Sequence, residues 1–136
     1  MRGFFMKKIF IILLLVITSN SSWSQTKTYT DIIGKWEGED DTEKFGRIEI
    51  IDSTSVLLEI PGEDIPKGTY KVDFSKSPIW FDVIINDGHR EMILKGLLSF
   101  LDKDTMRWQV NYEGIRKTKF QEDTEETKSI ILKRSK

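Results

Sequence analysis

The stretch IWFDVIINDGHREMILKGLLSFLDKDTMRWQVNY, residues 79–112, decides the fold. It divides into three strand-like runs. Ile79 to Ile85 is rich in aromatic and β-branched residues, which suit a pleated, half-buried surface. Asn86-Asp87-Gly88 then supplies residues that tolerate the positive φ of a tight turn, so the chain reverses there. Glu91 to Phe100 forms the second run, with Gly96 marking a bend or bulge. Leu101-Asp102-Lys103-Asp104 turns the chain again into Thr105 to Tyr112, where Met106, Trp108 and Val110 fall on one face at a period of two. Three antiparallel neighbours follow from this stretch alone.

Working outward, the same grammar continues. Upstream, Gly34 to Gly38, Arg47 to Ile50, Val56 to Ile60 and Thr69 to Asp73 alternate polar with apolar residues. They are separated by Asp52-Ser53-Thr54, by a loop bracketed by Pro61-Gly62 and Pro66-Lys67-Gly68, and by a turn at Ser75 to Pro78. Downstream, residues 113–128 are long, charged and non-alternating, with room for a turn or two of helix over 119–128, and Ser129 to Lys133 is a last short strand. Eight short strands at regular spacing, with no convincing apolar helical repeat, predict an all-β fold, a sandwich or a small antiparallel up-and-down barrel, of which the barrel is the expectation carried forward. Polar neighbours set the register. Trp36, Ile48, Ile50, Val56, Leu58, Tyr70, Val72, Phe81, Val83, Leu94, Leu98, Phe100, Met106, Trp108, Val110, Ile130 and Leu132 point inward. Most are large, so the interior is expected to be nearly filled, with any cavity small or open at one end.

The N-terminal residues read as an export signal. Arg2, Lys7 and Lys8 precede the apolar run Ile9 to Ile17, and Ser22 and Ser24 occupy the −3 and −1 positions of a cut before Gln25. Met6 is an alternative start. The run is nine residues, against about 20 for a membrane span. The expected organisation is a signal over 1–24, a flexible polar N-terminus over 25–31 and a barrel domain over 32–136. The expected location is the periplasm or the extracellular space, in soluble form and without a membrane span after cleavage. The segment 1–24 holds three of the 21 basic residues and none of the 22 acidic ones, so the remaining 112 residues carry 18 basic and 22 acidic side chains, a net −4. That charge argues against a nucleic-acid partner. The chain has no cysteine, which excludes disulfides, thiolate metal sites, a cysteine nucleophile and a lipidated cysteine.

Two resemblances follow from particular residues. Gly34-Lys35-Trp36 resembles the Gly-x-Trp element of lipocalins, and Arg134 stands where those proteins place an arginine across the tryptophan. A guanidinium over an indole is a favourable contact, and here it would tie the first strand to the last and close one barrel end. A longer pattern comprises Gly68 to Asp73, Ser75 to Pro78, Phe81-Asp82-Val83, Lys95 to Phe100, Asp104 to Trp108 and Leu132-Lys133-Arg134. It resembles a lipocalin-like family of uncharacterised bacterial exported proteins, abundant in planctomycetes, across residues 32 to 134. That family carries Arg-Pro-x-x-Phe in its late loop; here the stretch is Arg116-Lys117-Thr118-Lys119-Phe120, without the proline. The resemblance implies a fold and no chemistry.

Few residues carry chemistry. His89, the single histidine, sits at a hairpin tip and reads as an exposed turn residue, since catalysis needs a nucleophile and an orienting group beside it. Glu37, Glu39, Asp40, Asp41 and Glu43 form an acidic cluster without the residue order of a calcium loop, and read as solvated. No catalytic, metal or cofactor-binding residue is expected. The leading expectation is a binding barrel for a small apolar or amphipathic ligand at its open end, with Tyr70, Phe81, Leu98, Trp108 and Phe120 as pocket candidates. Phe120 reads either as a lid over the mouth or, preferably, as an anchor for its loop. The alternative is a protein-interaction module using the outer face near Trp80, Leu57 and Ile84. An enzyme ranks last.

Overall fold

A computed structural model describes residues 26–39 and 46–135. The signal reading over 1–24 and positions 40–43 of the acidic cluster lie outside the described residues. Eight strands form a closed antiparallel barrel in sequence order: β1 (Gly34–Glu39), β2 (Arg47–Ile50), β3 (Ser55–Glu59), β4 (Gly68–Asp73), β5 (Ile79–Asn86), β6 (Glu91–Asp102), β7 (Thr105–Asn111) and β8 (Thr127–Arg134). Closure comes from β1 pairing with β8, with Trp36 opposite Arg134 and Gly38 opposite Leu132. This is the small up-and-down barrel that the alternation allows and that the lipocalin-like resemblance implies. The long 113–126 segment forms no helix.

The alternating residues pack as their register requires. Trp36, Ile48, Ile50, Val56, Val83, Leu98, Met106 and Leu132 are all at most 1% exposed and form one core. Leu97 breaks the rule. It faces outward by parity yet is buried, because the β7–β8 connection lies across the outside of the sheet there. The irregularity expected at Gly96 takes the form of an opening in the β5–β6 ladder. Pairing runs Ile79–Leu98 and Trp80–Leu97, then resumes at Val83–Leu94. A register shift in β6 lies further on, between Phe100 and Asp102.

The N-terminal segment differs from expectation. Residues 25–31 read as polar and flexible, but Tyr29–Ile32 form one helical turn, α1. The Asp31 carboxylate accepts the Thr28 N–H at 2.7 Å, which starts the turn, and Ile32 is fully buried as a plug. Ile32 in the core, Tyr29 edge-on to Phe74 at 5.3 Å and Lys27 over the Phe100 ring dock the segment against the barrel.

Candidate functional site

The two ends of the barrel are built differently. At one end lie α1 and the β2–β3, β4–β5 and β6–β7 turns. The Trp36 indole N–H donates to the Ile32 carbonyl at 2.8 Å, and the Arg134 guanidinium stacks on the Trp36 ring at 4.2 Å. Arg134 also donates to the carbonyls of Ile33 and Asp31 and pairs with Asp104. Gly34 has φ of 142°, and a side chain there would meet the Arg134 guanidinium at 2.9 Å. The structure thus brings Gly34, Trp36 and Arg134 together around one guanidinium. Tyr70 seals the same end by donating its hydroxyl to the Asp52 carbonyl. Burial pushes the Tyr70 phenol up to about 12, with the neighbouring Tyr29 and Asp52 adding to the effect.

Above this seal, the aromatic rings fill the barrel. Tyr70 packs on Phe81 with centroids 5.2 Å apart, and Phe81 meets Trp108 edge-on at 5.6 Å. The Trp108 indole leans on the ladder opening, within 3.4 Å of the Phe81 carbonyl. Gly96 makes this possible, since a Cβ there would lie 2.3 Å from the indole nitrogen.

Beyond Trp108 the filling stops. A cavity of about 270 Å³ lies between the strand ends and the loops at the opposite end. Its strand residues are Leu58, Ile85, Met92, Leu94, Trp108, Val110 and Ile130, and its loop residues are Ile60, Glu63, Ile65 and Tyr112. Burial supports an open mouth independently. Leu58 (5%), Ile85 (5%), Leu94 (7%) and Ile130 (8%) are the buried hydrophobic residues with the greatest exposure, and all four line the cavity. Among the described residues the wall is apolar apart from Glu63 and Tyr112. Tyr112 is half-exposed; burial of its ring raises its phenol, and the charge of Glu63 raises it further.

Of the pocket candidates, Trp108 lines the cavity as its floor. Tyr70, Phe81 and Leu98 are buried beneath it and do not line it. Phe120 lies on the outer face, with the Arg107 guanidinium over its ring at 4.3 Å. It does not cover the mouth, because the β7–β8 connection is held against the outside of the sheet. Gln109 binds both backbone groups of Gln121, donating at 2.6 Å and accepting at 2.9 Å. Asn111 accepts from the amides of Glu113 and Ile115 and donates to Thr127. Arg116 donates to the Gly96 carbonyl, pairs with Asp82 and stacks on Trp80 at 4.5 Å.

Trp80 therefore sits on the outer face but is not bare, since Lys76 also approaches its ring at 4.9 Å. His89 is exposed in the β5–β6 turn, where Asp87 accepts its backbone N–H and that of Arg90. Among the described residues there is no group of three or more His, Cys, Asp or Glu side chains placed to hold a metal. No described helix is long and apolar enough to cross a membrane.

The sequence missed the loop residues of the mouth. Glu63 and Ile65 lie between two prolines, where no alternation marks a facing direction, and Met92 and Tyr112 sit at strand ends, where facing is ambiguous. Among the described residues the barrel has one end sealed by side chains and one end with a cavity. No protein-family model, curated protein or solved structure matches the chain.

Proposed function

We propose that the protein is exported and binds a small apolar or amphipathic molecule in the cavity above Trp108. Export rests on the basic, apolar and small-residue order of residues 1–24. Binding rests on one observation: the barrel is filled with side chains at its sealed end and hollow, apolar and open at the other. Few, mostly apolar concavities with a small number of polar groups are the usual form of small-molecule sites. At about 30 Å³ per water-sized group, the cavity holds roughly nine heavy atoms. That sets the occupant's buried part at the size of a short alkyl chain or a single substituted ring.

The test is native mass spectrometry on protein isolated from the envelope of its own organism. The expected result is a stoichiometric small-molecule adduct, absent from a folded Val110→Phe variant whose new ring fills the cavity. A bare polypeptide mass in the unsubstituted protein would overturn the reading.

A further inference from the structure

We infer that the occupant is a cationic amphiphile, a short apolar chain carrying a protonated amine that is read at the mouth by Glu63 with Tyr112 beside it. The inference deepens the binding reading and rests on it. Its basis is the asymmetry of the wall. Among the described residues, 11 line the cavity; nine of them are apolar, Glu63 is the one charged residue in that set, and none is Lys, Arg or His. A ligand with a carboxylate or phosphate head would face the like charge of Glu63, with the neutral Tyr112 hydroxyl as the donor in that lining and no cationic group among the described lining residues. A ligand with an ammonium head would leave that head at the rim, partly hydrated, next to a carboxylate that lies on an exposed loop.

Position makes Glu63 a rim residue. Its N–H donates to the Ile60 carbonyl at 3.1 Å, forming a turn that sets Glu63 between Ile60 and Ile65, all three in the wall. Tyr112 reaches the same rim from the end of β7. Burial raises its phenol first and the Glu63 charge raises it further, so the two groups feel each other across the mouth. A phenol held neutral offers both a hydrogen-bond acceptor and a donor. Its ring face, beside a carboxylate, suits a cation.

The experiment uses three probes with one tail: octylammonium, 1-octanol and octanoate. Each is titrated calorimetrically into protein purified from cells that express the full chain, and into its Glu63→Gln variant. Glu63 is exposed and outside the core, so the variant folds. Octylammonium is expected to bind most tightly and octanoate most weakly. The affinity ratio of octylammonium to 1-octanol should fall about fivefold in Glu63→Gln, the upper end of what a solvent-facing ion pair supplies. 1-Octanol should bind both proteins equally. If 1-octanol binds but octylammonium gains nothing from Glu63, or octanoate binds tightest, the cationic head is wrong while the cavity reading stands. If none of the three binds either protein, the cavity reading fails and takes this inference with it.

Discussion

Gly96 shows how much one missing side chain decides. Its position in β6 faces the Trp108 indole nitrogen, the Phe81 carbonyl and the Gln109 carbonyl, which a Cβ would approach to 2.3, 2.7 and 3.0 Å. Two of these are backbone atoms that cannot swing aside. Gly96→Ala should therefore cost roughly 3 kcal/mol, the top of the usual range for overpacking, read as a lower urea midpoint at unchanged slope. Tyr70 makes a second prediction, for alkaline solution. Its phenol is held up at about 12 from an ordinary 10.0, so the folded state keeps a proton that the unfolded chain releases. The stabilisation is complete below pH 10 and disappears as pH rises from 10 through about 12. Thermal melts should show that loss in the native protein and a flatter alkaline limb in Tyr70→Phe. The closure by Gly34, Trp36 and Arg134 was legible in the sequence because it needs three particular residue types at fixed places. The role of Gly96 was only half legible. A glycine in a strand announces an irregularity, but not which indole fills it.

At the scale of elements, the β7–β8 connection is a strap whose fastenings are the outward side chains of β7. Arg107, Gln109 and Asn111 alternate with the inward Met106, Trp108 and Val110, and each holds a part of residues 113–121. The alternation turns these residues outward, but polarity at a period of two specifies facing and not what covers the face. Gln109 and Asn111 are in fact 3% exposed. The strap also repairs the ladder opening between β5 and β6. Gly96 donates its N–H to the Asp82 carboxylate, and its carbonyl accepts from Arg116. Buried backbone groups without partners are costly, so this pair replaces the missing strand bonds. Asp82→Ala should expose the Gly96 amide to hydrogen exchange at least tenfold faster than in the native protein, an increase equivalent to about 1.4 kcal/mol. Amides of Val83 and Leu94, where the ladder has resumed, should change little. Equal acceleration at all three would mean that the strand pair, not the side chains, holds the opening.

At the scale of the whole molecule, the barrel is two halves of unlike density. Inward residues read as large along every strand, and a filled interior follows from that reading; the sealed half meets it. A cavity open at one end was expected, but which residues line it was not legible, because that depends on where the strands stop pairing. β3 and β4 share only two partner positions, Ser55 with Thr69 and Val56 with Gly68. Past them, Leu58 and Ile60 face space that the 61–67 connection borders but does not fill. Residue size summed along strands cannot register that gap. One matched pair of substitutions separates the halves. Val56 and Val110 are both buried and inward, at 1% and 2% exposed, but Val110 lines the cavity and Val56 packs in the sealed half. Val56→Phe forces a ring into close-packed core and should cost about 1–3 kcal/mol. Val110→Phe extends the ring into open space and should be neutral or stabilising by about 0.5–2 kcal/mol, as cavity-filling changes are. For a domain of this size each kcal/mol moves the midpoint by about 4–8 °C, so the two variants should melt on opposite sides of the native protein. An equal loss in both would mean that the barrel is packed from end to end.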